Sequence, residues 1–186
     1  MWIPLDVTPF GGPRSGFDKT QAMTDTTLDP RVAAALAAAG IAHEVLACDP
    51  DFADTAAFCD RYGYLPEQAA NAILVASKKV DPPVHAICVV LATTRLDVNH
   101  KVRELLGVRR LSFADAEMTK ELTGMMIGGV TPFGAGDLPI YVDAAVMAQD
   151  RVVMGGGNRS SKVLLAPAEL LRLPRVEVVE GLALAR

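Results

Sequence analysis

The chain has 186 residues, of which 51% are hydrophobic and 22% are charged, and its formal net charge at pH 7 is −4. This composition predicts a single globular domain with enough apolar material for a core. It argues against a membrane helix, because no apolar run approaches the roughly 18–20 residues that a span needs. It also argues against a dedicated nucleic-acid binder, which is usually basic.

The first residues differ in composition from the rest. Residues 1–22 contain several glycines and show no periodicity, which predicts a flexible leader before a domain over residues 23–186. The leader also lacks the apolar centre of a signal peptide, so we expect a cytoplasmic protein.

Helices and strands then alternate. Asp29 caps a first helix that begins at Pro30 and ends at Gly40. Asp97 caps a later helix, and Ser112 with Asp115 resembles a capping box for a helix that ends near Gly124. The other predicted elements are a strand at 41–47, helices at 52–62 and 66–70, and strands at 72–77, 84–92, 138–143, 151–154, 162–166 and 176–179.

The two central strands, 72–77 and 84–92, are almost continuously apolar, which is typical of strands that are covered on both faces. The predicted fold class is therefore α/β (α+β), with a mixed, curved sheet surrounded by helices. Three cysteines without CxxC spacing indicate neither a disulfide framework nor a zinc site. We expect Cys48 and Cys59 to be the more exposed ones, and Cys88 to be buried in a strand.

Two glycine-rich segments carry the functional signal. Residues 128–134 read Gly-Gly-Val-Thr-Pro-Phe-Gly, and residues 155–162 read Gly-Gly-Gly-Asn-Arg-Ser-Ser-Lys. Closely spaced glycines allow backbone N–H groups to converge on an anionic or carbonyl-bearing ligand. Two such turns in one small domain predict a pocket that is built mainly from main chain.

Together with Leu-Pro-Ile-Tyr-Val-Asp at 138–143, these segments resemble the signature of the YbaK/EbsC family. That family comprises aminoacyl-tRNA deacylases related to the editing insertion of bacterial prolyl-tRNA synthetase. The resemblance runs from about Thr27 to the C-terminus, and it implies a sheet that is closed partly into a barrel. It also implies a trans-editing hydrolase that removes the amino acid from a mischarged tRNA.

The resemblance places the catalytic groups in the first segment. Gly128 and Gly129 are expected to direct N–H groups at the ester carbonyl, where they would stabilise the oxyanion. Thr131 is a candidate hydroxyl donor. For the glycines the alternative is a tight turn only, and for Thr131 it is turn stabilisation.

The second segment and its neighbours are the candidate substrate-binding residues. The glycines are expected to cradle the terminal ribose or a phosphate, with Arg159 or Lys162 nearby as charge, although a simple hairpin would use the same glycines. Asp143 is expected to orient water or to bind the substrate amine, unless it only caps a turn. The full candidate set is Pro132, Phe133, Gly134, Asp143, Gly155, Gly156, Gly157 and Arg159.

Asn71 stands where the family has a lysine, at the start of a strand that reads Asn-Ala-Ile-Leu-Val. Asparagine donates hydrogen bonds but brings no charge and has a shorter reach. Two hypotheses follow. Either Asn71 and backbone donors suffice for deacylation, or hydrolysis has been lost or redirected and the pocket binds an aminoacyl group, a nucleotide or another small ligand.

The expected partners follow from the charge and the resemblance. The acidic net charge predicts weak or assisted binding of aminoacyl-tRNA, and an aminoacyl-tRNA synthetase is a further partner that the resemblance suggests. No metal or organic cofactor is implied, and the oligomeric state is left open. A third interpretation is an interaction module that uses the apolar segment 125–127 as a protein-binding surface.

Overall fold

A computed structural model describes residues 27–186 of the protein. The leader predicted for residues 1–22 lies outside the described residues, so the division of the chain into leader and domain stays a prediction.

The helices are short, and their ends follow local chemistry. The Asp29 carboxylate accepts the N–H of Arg31 and Pro30 occupies the first turn, so the predicted first helix is confirmed. None of the helices in the described part of the chain is long and apolar enough to cross a membrane. The α-helices are α1 (Pro30–Ala38), α2 (Thr55–Tyr62), α3 (Arg103–Leu105, after a wider turn at Val98–Val102), α4 (Ala116–Thr123) and α5 (Ala144–Met147).

The strands form three sheets. Those predicted from the sequence are present, and three short ones at 94–96, 111–113 and 183–185 are additional. The strands are β1 (Glu44–Ala47), β2 (Ala70–Ser77), β3 (His85–Leu91), β4 (Thr94–Leu96), β5 (Leu111–Phe113), β6 (Ile140–Asp143), β7 (Val152–Gly155), β8 (Ser161–Leu165), β9 (Val176–Val179) and β10 (Ala183–Ala185).

The largest sheet has the order β5-β2-β3-β6-β9. Its first three strands are antiparallel, whereas β3, β6 and β9 run parallel, so the sheet is mixed as predicted. Strand β3 packs one apolar cluster on each face: Ile87 and Val89 belong to the main core, and Cys88 and Val90 belong to a second core. This two-sided burial explains its continuous apolar sequence.

A second sheet, β1-β8-β7, approaches the first at one point. An isolated parallel bridge joins Ala69, just before β2, to Val153 in β7. The bridge brings the start of β2 beside β7, which agrees with the partly closed, barrel-like sheet that the resemblance implies. A third pair, β4 with β10, extends the fold on the far side of β3.

Two local predictions are wrong. The cap of α4 is Asp115, whose carboxylate accepts the N–H of Met118, while Ser112 lies within β5. Cys48 and Cys59 are buried, with exposed fractions of 1% and 5%. Cys48 packs with Phe58 in a small core behind the second sheet. It is therefore buried although polar residues follow it in the sequence.

Candidate active site

A cavity of about 280 Å³ lies where the two sheets meet. Its walls come from five parts of the chain: the start of α2, the first half of β2, the beginning of α4 with Ala114 shortly before it, the loop before Thr131, and β7 with the adjoining strand β8. The lining residues are Asp54, Thr55, Phe58, Ala69, Ala70, Asn71, Ala72, Ile73, Leu74, Ala114, Thr119, Ile127, Gly128, Val130, Val153, Met154, Gly155 and Lys162. Apolar walls with a few polar groups are typical of small-molecule sites.

The 127–130 loop is held by the 157–162 segment through three successive carbonyl groups. Arg159 Nη1 donates to the carbonyl oxygen of Ile127 at 3.0 Å. Lys162 Nζ donates to that of Gly128 at 2.7 Å, and the Gly157 N–H donates to that of Gly129 at 2.8 Å. These three carbonyl groups therefore have fixed directions.

These carbonyl directions also fix the N–H groups of the loop. In a trans peptide the C=O of one residue and the N–H of the next point in opposite directions. The N–H groups of Gly128 and Val130 consequently point away from Arg159 and from Gly157, respectively. No described residue accepts either N–H, whereas the Gly129 N–H donates to the Met126 carbonyl at 2.9 Å.

Close backbone packing explains the glycines where the two segments meet. A Cβ on Gly129 would overlap the backbone of Asn158, and one on Gly155 would overlap the carbonyl oxygens of Gly129 and Val130. Gly157 has φ +88° and lies against Asp29, so a side chain there would be both strained and crowded. The glycines permit an approach that any side chain would prevent.

Asn71 lies in β2 with its side chain at the cavity. The Thr55 hydroxyl donates to Asn71 Oδ1 at 2.6 Å. This bond orients the amide so that its NH₂ group, with two donors, remains for another partner. No described residue accepts a bond from that NH₂ group.

Lys162 is a charged residue inside a buried strand, with an exposed fraction of 4%. Its ammonium donates to the carbonyl oxygens of Ala53 and Gly128. Burial lowers the pKa of Lys162 from its ordinary value of 10.5, because the charged form loses hydration. The sequence analysis names Lys162 only as a nearby charge. A lysine followed by Val163, Leu164 and Leu165 in a buried strand could have indicated a functional residue, because buried lysines are rare.

The structure brings Asn71, Gly128 and Gly155 to the cavity and leaves the other predicted site residues outside its lining. Thr131 is fully buried, and its hydroxyl has no hydrogen-bond partner among the described residues. Phe133 is a core residue. The remaining candidates outside the lining are Gly129, Pro132, Gly134, Asp143, Gly156, Gly157 and Arg159.

Asp143 and Arg159 use their side chains for structure. Asp143 is 5% exposed and accepts the N–H groups of Ala145 and Ala183, both at 2.8 Å. It therefore caps α5 and ties down the start of β10. Arg159 donates to the carbonyl oxygens of Pro50 and Ile127, so it connects two loops at the rim of the cavity.

Comparison with known proteins adds independent information. The sequence matches the family described as aminoacyl-tRNA editing domain over residues 49–173. It is 31% identical over 112 residues to the uncharacterized protein YwhH of Bacillus subtilis (strain 168), which covers 56% of this chain and 71% of YwhH.

Solved structures share the fold. The crystal structure of a candidate trans-editing enzyme for prolyl tRNA synthetase matches with a TM-score of 0.71 and 28% identity, over 83% of this chain and 98% of that one. The crystal structure of the hypothetical protein APE2540 matches with a TM-score of 0.72 and 22% identity, over 81% of this chain and 97% of that one. The second match is a likeness of fold.

Proposed function

Because this chain belongs to the aminoacyl-tRNA editing domain family, we propose that it hydrolyses the ester bond of a mischarged tRNA. The family resemblance inferred from the two glycine-rich segments is confirmed by the match over residues 49–173. The observation that carries the proposal for this chain is the pair of backbone donors at the cavity.

The donors act on the ester carbonyl. Gly128 and Val130 both line the cavity, and their N–H groups have no acceptor among the described residues. When water attacks the aminoacyl carbonyl, its oxygen becomes negative, and donors already aimed at that oxygen stabilise the transition state. The expectation from sequence is adjusted in one respect: Val130 takes the role predicted for Gly129, whose N–H is bonded within the loop.

Asn71 binds the sugar end of the substrate. The Thr55 hydroxyl donates to its oxygen, and no described residue accepts a hydrogen bond from its NH₂ group. An amide donor suits the ribose hydroxyl groups of the terminal nucleotide, which accept hydrogen bonds. Asn71 thus serves as an uncharged contact at the position where the family has a lysine.

The size of the cavity limits what enters it. Its volume of about 280 Å³ lies at the lower end for ligand sites, which start near ~300 Å³. We infer that the aminoacyl group and the adjoining sugar enter, while the rest of the tRNA stays outside. With a net charge of −4, the protein relies on weak or assisted tRNA binding, and a synthetase that already holds the tRNA is a suitable helper.

The test is a deacylation time course against a panel of mischarged tRNAs that includes Ala-, Ser- and Cys-tRNA(Pro). We expect one member to lose its amino acid faster than in buffer. A folded protein that accelerates none of them would overturn the proposal. If that protein still bound a non-hydrolysable aminoacyl-adenosine, the redirected small-ligand pocket would be favoured.

A further inference from the structure

Lys162 is a buried charged residue, and the stability of the fold does not require its charge. Its side chain crosses from β8 to the cavity wall and is 4% exposed. Removing an ammonium from water is unfavourable unless a counter-charge or hydrogen bonds compensate. A neutral donor would bond the two carbonyl oxygens without the cost of removing a charge from water. Holding these carbonyl groups therefore does not explain why the residue is charged.

No carboxylate in the described part of the chain forms an ion pair with this ammonium. The titratable and charged groups that face it are Asp54 just before α2, Cys59 on α2, Cys48 after β1, and Arg159 before β8. Asp54 is 68% exposed and pairs with Arg159 at 3.5 Å. The ammonium also lies over the Phe58 ring, 5.5 Å from its centroid, but no described carboxylate neutralises its charge.

One N–H of the ammonium is left over. A lysine ammonium has three donors, and Lys162 directs two of them at the carbonyl oxygens of Ala53 and Gly128. No described residue accepts the third, and the residue lines the cavity beside Gly128.

We propose that Lys162 is a catalytic residue whose third ammonium N–H binds the anionic oxygen that forms on the aminoacyl carbonyl. This inference rests on the proposed deacylase function. It adds a charged donor, delivered from β8, to the two backbone N–H groups of the 127–130 loop.

The reaction balances without transfer of the lysine proton. Water oxygen bonds to the carbonyl carbon, and the C=O π pair moves to the oxygen that Lys162 contacts. When that pair returns, the bond between the carbonyl carbon and the ribose oxygen breaks. The ribose oxygen takes the proton that the water releases, so the products are the free amino acid and the tRNA hydroxyl.

The first experiment replaces Lys162 by methionine, which keeps an unbranched stem and removes the charge. Loss of one donor to the oxyanion typically lowers kcat by roughly a hundredfold to a thousandfold. We expect that decrease in Lys162→Met, with KM changed by less than about threefold, because the contact strengthens only in the transition state. A variant that is folded by circular dichroism and retains the wild-type kcat would overturn the proposal.

Lys78→Met is the matched control, because Lys78 is exposed and lies seven residues beyond Asn71 along the chain. It makes the same change of charge and size at the surface. We expect wild-type kcat from it. An equal decrease in both variants would assign the effect to overall charge and would overturn the role of Lys162.

The pH profile separates catalysis from support of the loop. Burial lowers the pKa of Lys162, so the wild-type kcat, after subtraction of the buffer rate, should level off or fall as the pH rises toward 10.5. The residual kcat of Lys162→Met should not level off or fall in this way at high pH. The same behaviour at high pH in both proteins would assign it to another group and contradict the proposal.

Asn71 supplies a reciprocal test, since it lines the same cavity from β2. In the wild-type background, Asn71→Lys places a second ammonium near the first, and we expect no gain of activity. In the Lys162→Met background the same change should restore part of kcat, on the order of tenfold, as coupled neighbours show non-additive effects. Equal effects in both backgrounds would show that the residues act independently and would overturn the proposal.

A binding measurement distinguishes failure of this inference from failure of the proposed function. The probes are two adenosine derivatives, one with a neutral 3′-aminoacyl amide and one with an anionic tetrahedral phosphonate. We expect Lys162→Met to weaken binding of the phosphonate by at least tenfold, because a charged hydrogen bond is lost. Binding of the amide should weaken by less than threefold. This readout is informative even if the wild-type protein releases no amino acid, and equal weakening of both probes would contradict the role of Lys162.

Discussion

The two glycine-rich segments look alike in sequence but have different tasks in the structure. In the 127–130 loop, Gly128 and Val130 line the cavity and no described residue accepts their N–H groups, whereas the 157–162 segment uses its donors to hold that loop. In the first, glycine allows an unusual φ of +92° at Gly128; in the second, glycine allows backbone to touch backbone. A glycine-rich motif therefore marks either a ligand contact or its support, and the direction of the carbonyl groups distinguishes the two.

The strongest test of the supporting role is Gly155→Ala. The new Cβ would overlap the carbonyl oxygens of Gly129 and Val130, so we expect a loss of about 3 kcal/mol in the free energy of unfolding. Urea unfolding measures it. Gly136→Ala is the control, because Gly136 has φ +68° but open space around it, and strain alone predicts about 1 kcal/mol. Equal losses would show that the two segments do not depend on close packing.

Asp143→Ala tests whether lost stability alone reduces activity. It leaves the N–H groups of Ala145 and Ala183 without their carboxylate, so we expect a loss of about 2 kcal/mol in the free energy of unfolding. Hydrolysis per folded molecule should stay at the wild-type rate, because Asp143 is outside the cavity lining. A decrease in kcat per folded molecule would show that Asp143 acts in the site and would contradict the prediction.

Arg159→Gln weakens one of the three connections between the segments. The carbonyl of Ile127 loses its charged donor, so we expect a loss of about 1 kcal/mol in stability. A less well oriented Gly128 N–H should lower kcat by on the order of tenfold. Arg151→Gln, which breaks only an exposed pair with Glu44, is the control and should leave kcat unchanged.

The smallest expected effect is a pH dependence of stability that is due to Lys162. Its folded-state pKa lies below 10.5, so between those two values the unfolded state binds more protons, and the free energy of unfolding rises with pH. Burial raises the pKa of Tyr64 and Tyr141, which acts in the opposite direction. The tyrosine contribution is the same in wild type and Lys162→Met, so it cancels when the free energies of unfolding of the two proteins are subtracted. That difference should grow with pH in this window in urea unfolding experiments, and a constant difference would contradict the buried charge.

Sequence patterns predict most of the fold because each element has a local cause. Asp29 and Pro30 start α1, and the apolar runs of β2 and β3 reflect burial on both faces. The three-residue strands β4, β5 and β10 escape prediction because only their pairing with a neighbouring strand defines them.

The site is less predictable, because its chemistry depends on which strands become neighbours. The sequence names Asn71 and Gly128, which line the cavity. It does not reveal which N–H groups of the loop have acceptors, because that depends on the residues that bind the loop carbonyl groups. The role proposed for Lys162 depends on the pairing of β8 with β7, which places its ammonium near residues over a hundred positions earlier, such as Ala53. Asp143 shows the opposite case, where a residue of the motif has both oxygens engaged in holding the fold.

The bridge between Ala69 and Val153 has a consequence for how the chain acquires its site. It joins residues 84 positions apart in the sequence, and closing such a long loop is an entropically demanding step of folding. The cavity does not exist in any partly folded chain that lacks this closure. A compound that fills it therefore binds the completed fold alone, and it should raise the thermal midpoint in proportion to the logarithm of its concentration at saturating levels.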